Sequence, residues 1–292
     1  MARGPPRPPR YDVPMSDAKV AALRALASER SEYPFASITH PAIAPKPRRT
    51  GLTSLLDKGV GPAEVRDRLA VSADWIDVVK LGWATARLTP RATLLEKIRL
   101  YRTAGIEVCT GGTFLEIALA QKRVPAFLAE ARELGFDMVE VSNGVHPMSG
   151  DEKLGLISTA RAAGFKVWSE VGRKDADEDA RIGIEERCAA IAQELAAGAD
   201  KVILEARESG TVGIYDRGGN PAGEMIQRIV EHVGLERLVF EAPRKGQQLW
   251  MILNLGREVN LGNVVLEEAL ALATLRTGLR ADTFREMHLC RA

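Results

Sequence analysis

Cysteine and histidine are scarce in this chain, three and four copies in 292 residues. Cys109, Cys188 and Cys290 lie far apart, form no CxxC and have no histidine at ligand spacing, which excludes a disulfide framework and a zinc-type shell. Charge of one sign is missing too. Forty basic residues against 39 acidic leave a formal +1, so neither nucleic acid nor a membrane surface is indicated as a partner, and any anionic ligand must be met by local charge. No apolar run approaches the ~20 residues of a membrane helix, and the N-terminus lacks the apolar core of a signal peptide. The expected setting is cytoplasmic.

What is present is proline and glycine in two different uses. The first ten residues, MARGPPRPPR, are basic and proline-rich, and Pro41, Pro45 and Pro47 punctuate a second irregular stretch. Residues 1–48 therefore read as a partly disordered arm with one short helix over 18–30. From Thr50 a helical period repeatedly ends in glycine and an apolar run follows at once, at Gly105, Gly135, Gly164, Gly198 and Gly234. The spacing, roughly 30–36 residues, is that of a βα unit, and the helix over 179–197 shows one apolar face through Ile184, Cys188, Ile191, Ala192 and Leu195. Eight strand candidates begin near residues 52, 75, 106, 137, 166, 201, 237 and 258. The expected fold is α/β, a (β/α)8 TIM barrel over 49–284 as a single domain, with an irregular N-terminal extension and a tail over 285–292. A doubly wound sheet is the alternative, but no GxGxxG follows the first strand.

Barrel chemistry sits at the C-terminal ends of the strands, and here nearly every apolar run ends in charge or amide. In order these are Asp57 and Lys58, Lys80, Glu140 with Ser142 and Asn143, Glu170 with Lys174, Glu205 with Arg207 and Glu208, Glu241, and Asn260 with Asn263. Side chains alternate along a strand, so Lys80 shares a face with Ile76 and Val78, Glu140 with Met138, Glu170 with Trp168, Glu205 with Ile203, and Glu241 with Val239. Each glutamate alone could be a cap or an ion-pair partner, but several at matching positions point to one mouth. Carboxylates without histidine or cysteine suit a hard cation such as magnesium. Lys80, Lys174, Arg207 and Lys245 could neutralise a multiply charged anion. The VNLGN segment, followed by an apolar stretch from Val264, is a candidate phosphate site at a helix N-terminus, with Asn263 as a plain helix cap the other reading.

Nine short motifs in this order resemble the phosphosulfolactate synthase family: DKG at 57–59, DVVKLGW at 77–83, GGT at 111–113, EVSNG at 140–144, EVG with Lys174, EARESG at 205–210, EAP with Gln247 and Gln248, VNLGN at 259–263, and LRTGLRADTF at 275–284. Departures are GWAT at 82–85, CTGG at 109–112 and Asn143. The resemblance implies a magnesium-dependent (β/α)8 barrel that adds sulfite to phosphoenolpyruvate, an early step towards coenzyme M or sulfolactate, and a homo-oligomer, a trimer. It implies Lys174 as the proton donor. On this reading Glu140, Glu170 and Glu205 are the metal candidates with Glu241 in reserve, Lys80, Arg207, Asn260 and Asn263 contact substrate, and Asp57, Lys58 and Glu208 support them. Plant relatives of that family are associated with heat-stress tolerance, so a non-catalytic homologue is one alternative. Another phosphate-substrate barrel lyase with a Schiff-base Lys174 or Lys201 is a second, although Lys201 starts its strand and so should lie at the stability end of the barrel.

Overall fold

The computed structural model describes residues 33–35 and 38–289. The helix expected over 18–30, and Cys290, lie outside them. The chain divides into Met1–Pro41 and Ala42–Ala292. The second unit holds eight strands, β1 (Thr53–Asp57), β2 (Val78–Leu81), β3 (Glu107–Thr110), β4 (Met138–Val141), β5 (Lys166–Val171), β6 (Lys201–Leu204), β7 (Leu238–Glu241) and β8 (Leu261–Val265). They close in sequence order into a barrel of parallel strands. The principal helices are α1 (Pro62–Ser72), α2 (Arg91–Thr103), α3 (Gly112–Ala120), α4 (Val124–Leu134), α5 (Gly150–Ala162), α6 (Ile184–Ala196), α7 (Gly223–Val233), α8 (Lys245–Leu255) and α9 (Ala269–Arg276). The (β/α)8 barrel is thus the observed architecture, and the five glycines that end helical stretches all have positive φ, from 67° to 113°.

Strand alternation builds two apolar layers. Val79, Val108, Val139, Val167, Val202 and Phe240 face outward and pack with the helices. Leu52, Val78, Cys109, Met138, Trp168, Ile203 and Val239 fill the barrel interior as a separate cluster. Ile76 departs from the expected face. A turn of 3-10 helix at Ala73–Trp75 precedes it, and it joins the outer layer. The helix expected over 179–197 starts at Ile184 instead, after an extended Gly183, while Asp179 ends a separate helical turn (Ala176–Asp179) and pairs with Arg187 (2.6 Å).

The N-terminal rim of the barrel is built for stability, and one expected site residue, Asn260, lies there. Asn260 was expected at the mouth after the last strand, but β8 begins one residue later, so Asn260 precedes it. Fully buried, its Oδ1 accepts from Leu52 N (3.1 Å) and its Nδ2 donates to Leu238 O (2.8 Å), tying the first, seventh and eighth strands together. It cannot reach a substrate at the other end. Lys201 is at the same end, as its place at the start of the strand implied, with its ammonium donating to the backbone carbonyls of Arg49 and Glu236. Residues 42–48, expected to belong to the arm, are also anchored there. Arg48 pairs with Asp77 (3.0 Å), and Lys46 donates to Ala73 O and Ala104 O.

At the other rim Asp57 supports the loop after β1 rather than the mouth. It is fully buried, pairs with Lys97 (2.9 Å), and accepts from Tyr101 Oη (2.9 Å), Gly59 N (2.8 Å) and Val60 N (3.1 Å). Asp57→Ala would leave the buried Lys97 ammonium uncompensated and should destabilise the fold by about 3–5 kcal/mol. Chemical denaturation measures this, and a loss below about 1 kcal/mol would contradict the assignment.

Candidate active site

One residue pair above the inner apolar layer, the alternation turns to charge. Lys80 follows Val78, Glu140 follows Met138, Glu170 follows Trp168, Glu205 follows Ile203 and Glu241 follows Val239, each two positions on and each at the C-terminal end of its strand. They surround a cavity of about 270 Å³, whose wall also includes Trp83, Gly111, Gly112, Thr113, Val145, Lys174, Arg207, Glu208 and Asn263. A larger groove of about 530 Å³ lies among Leu94, Phe114, Phe127 and Phe136 on the helical side, but it gathers no comparable set of charges. The polar mouth is the candidate site.

Two ionic groups share this mouth. In the first, Lys80 Nζ lies 3.0 Å from Glu140 Oε2 and 3.2 Å from Glu241 Oε1. The other oxygens of these carboxylates are also engaged: Glu140 Oε1 accepts from Gly112 N (2.9 Å) and Ser142 Oγ (3.3 Å), and Glu241 Oε2 from Ala206 N (3.0 Å). Burial alone would discharge Lys80, but Glu140, Glu241 and Glu170 outweigh it and hold the ammonium pKa well above the usual lysine range. For Glu241 burial dominates and raises the carboxyl in spite of Lys80.

The second group is Glu170, Glu205 and Lys174. Burial, then the charges of Glu170 and Glu241, push Glu205 well above the usual carboxylate range. Burial would raise Glu170 as well, but Lys174, the neighbouring Glu205 carboxyl, Lys80 and Lys153 outweigh it and the net shift is downward. The two carboxyls are thus driven apart, Glu205 upward and Glu170 downward, with a side-chain hydrogen bond between them. Lys174 loses charge stability to burial, yet Glu170, Glu205, Glu140 and Glu116 more than restore it, and its Nζ donates to Thr113 Oγ1 (2.8 Å). Glu205 Oε1 accepts from Arg207 N (2.6 Å), a contact made with Arg207 in the left-handed region (φ 57°). Glu170 Oε1, Glu205 Oε2 and Asn263 Oδ1 are buried with no hydrogen-bond partner among the described residues.

A glycine and a bulge create this arrangement. A Cβ on Gly112 would collide with Ser142 Oγ and come 2.8 Å from Glu140 Oε1, so glycine lets the start of α3 close on β4. Asn263 is neither a helix cap nor at a helix N-terminus. The strand continues through Val264 and Val265, and the pairing register of β1 and β8 shifts between Thr53 and Leu55. Asn263 takes φ 52° within that irregularity and joins the cavity wall. The phosphate site expected from VNLGN and a following helix is therefore not formed there.

The chain matches, over residues 41–282, the family described as (2R)-phospho-3-sulfolactate synthase. It belongs to that family. It is 43% identical to the phosphosulfolactate synthase of Methanothermobacter thermautotrophicus, a match that covers 84% of this chain and 95% of the relative. It is 41% identical to the phosphosulfolactate synthase of Bacillus subtilis over 85% and 98% of the two chains. The protein HEAT-STRESS-ASSOCIATED 32 of Arabidopsis thaliana is 22% identical over 74% of this chain and 82% of that protein.

In this phosphosulfolactate synthase family member the cavity gathers Lys80, Glu140, Glu170, Lys174, Glu205, Arg207, Glu208, Glu241 and Asn263. It does not gather Asp57, Lys58, Lys245 or Asn260. Lys58 lies over the Trp83 ring (4.9 Å to its centre), and Lys245 pairs with Asp282 (2.8 Å). Sequence reasoning missed three contributors. Thr113 holds Lys174, Glu116 is buried behind it, and Lys153 donates to Glu170 O (2.7 Å) while paired with the buried Glu194 (2.5 Å). Thr113 stood inside the GGT motif and could have been found. The other two sit on helix faces that look like ordinary charged surface.

Proposed function

We propose that this protein is a phosphosulfolactate synthase, a carbon–sulfur lyase that adds sulfite to phosphoenolpyruvate in a Michael-type addition giving (2R)-2-phospho-3-sulfolactate. The observation that carries the reading is that Glu170, Glu205 and Asn263, each with a buried oxygen that no N–H or hydroxyl donor among the described residues satisfies, line the same cavity as Lys174. Idle buried acceptors are costly unless a ligand uses them, which weighs against a non-catalytic scaffold.

An acceptor-only set fits a hard cation, and magnesium commonly takes one or two carboxylates with substrate oxygens completing the shell. Among the described residues no three such side chains are grouped as a ready metal shell. Glu170 and Glu205 would hold magnesium, with Asn263 on the wall of the same cavity. When bound, the ion supplies positive charge next to the substrate carboxylate, where negative charge builds during addition. Glu140, expected in this set, has both oxygens already accepting hydrogen bonds, and we assign it with Glu241 to orienting Lys80.

The sulfite sulfur forms its bond to the methylene carbon, the double-bond electrons move towards the carboxylate, and a proton then goes to the central carbon. Lys174 is the donor, since its neighbours keep it an ammonium at neutral pH. The same charge makes it a poor Schiff-base nucleophile. Arg207, on the cavity rim, meets an anionic group of the substrate. Purified protein given magnesium should consume sulfite and phosphoenolpyruvate in equal amounts without releasing inorganic phosphate. Phosphate release, or no consumption, would defeat the proposal.

The upward shift of the Glu205 carboxyl gives a second test. A cation needs the ionised carboxylate, so magnesium binding should release protons and tighten as pH rises. Calorimetry in buffers of different ionisation heat measures this, and identical heats in all buffers would contradict it.

A further inference from the structure

Glu116 is almost fully buried on α3, one turn beyond Thr113, and beyond a minor share in keeping Lys174 charged the proposed reaction gives it no task. Its Oε2 accepts from the backbone N–H groups of Val145 (2.9 Å) and His146 (2.6 Å), while Oε1 has no hydrogen-bond partner among the described residues. A buried carboxylate is expensive to hold, and two charge-assisted bonds to one loop show where its stabilising effect goes. That loop, residues 142–149, joins β4 to α5 and rests on Lys174. A Cβ on Gly144 would come 2.9 Å from both Cγ and Cε of Lys174, so only glycine lets the backbone lie against the lysine stem. Beyond that stem, the ammonium donates to Thr113 Oγ1 (2.8 Å). Helix α3 therefore grips the lysine twice, directly through Thr113 and indirectly through Glu116 and the loop.

From these contacts we infer that Glu116 is a positioning residue, which clamps residues 144–146 onto the Lys174 stem and so fixes the ammonium in the cavity. The inference rests on Lys174 as the proton donor. Glu116 is not part of the cavity wall, so its removal should reduce kcat and leave substrate binding nearly intact. A donor displaced by about 1 Å can lose a hundredfold in rate.

The experiment compares Glu116→Ala, Glu116→Gln and Gly144→Ala by steady-state kinetics and by amide hydrogen exchange at Val145 and His146. Glu116→Ala should lower kcat by about 10–100-fold, change KM for phosphoenolpyruvate less than about threefold, and speed exchange at both amides at least about tenfold. Glu116→Gln keeps an oxygen that can accept from both amides and should recover slow exchange and kcat to within about threefold of the parent protein. Gly144→Ala pushes on the lysine stem from the loop side and should lower kcat with Glu116 intact, which decides the matter if Glu116→Ala does not fold. Parental exchange or parental kcat in Glu116→Ala, a Glu116→Gln variant as impaired as Glu116→Ala, or parental kcat in Gly144→Ala would each overturn the inference. Lys174→Ala run alongside separates the two claims. Full turnover there removes the donor reading, whereas amide exchange reports on the clamp without reference to turnover.

Discussion

Lys174→Ala should lower kcat by about 10²–10⁴-fold, the range a positioned proton donor contributes. The lysine is enclosed by Glu170, Glu205, Glu140 and Glu116, which keep it charged, and held by Thr113 Oγ1. The substitution removes the proton for the central carbon but leaves the carboxylates, so magnesium binding should persist or strengthen. Because Lys174 follows β5 in a loop and is only partly exposed, its removal opens space at the cavity without cutting into either apolar layer. Thermal unfolding should stay within a few degrees of the parent. A variant with parental kcat would show that the proton comes from elsewhere, and one that fails to fold would assign Lys174 a structural task instead.

Glu170→Gln should lower turnover by about 10²-fold or more and weaken the dependence on magnesium, since it takes charge from the pair proposed to face the ion. Glu170 is the better probe of the two because its carboxyl is the one shifted downward, held down by Lys174 and the Glu205 carboxyl against the effect of burial. Glutamine preserves the volume and one acceptor, so a large effect reports on charge. The kinetic signature is a rise in the magnesium concentration needed for half-maximal rate together with a fall in kcat. The same magnesium response in the parent and the variant would remove Glu170 from the metal assignment. Replacing Glu140 in the same way should instead disturb Lys80, through the 3.0 Å pair, before it disturbs magnesium.

Strand parity made most of the mouth legible in advance. Val78 and Lys80, Met138 and Glu140, Trp168 and Glu170, Ile203 and Glu205, and Val239 and Glu241 alternate in the sequence as they stack in the barrel, because a strand has period two and each run ends at the same rim. The helix-ending glycines marked the βα units for an equally local reason. Long-range contacts and irregular backbone were not legible in this way. Because β8 starts only at Leu261, Asn260 falls at the stable end, and the register shift beyond Leu261 puts Asn263 on the cavity wall; a left-handed asparagine inside a strand has no sequence signature. Asp57 looked like a mouth residue because its partner Lys97 is 40 positions away on α2. Glu140 looked free to bind metal because the Gly112 amide that engages it arrives from another βα unit.

The most direct measurement is nuclear magnetic resonance of the product formed in D2O from phosphoenolpyruvate, sulfite and magnesium. The account predicts one species with phosphate retained on the central carbon, sulfonate on the neighbouring carbon, and a single deuterium at the central carbon in one configuration. Unchanged phosphoenolpyruvate under these conditions, or a product that has lost its phosphate, would contradict it.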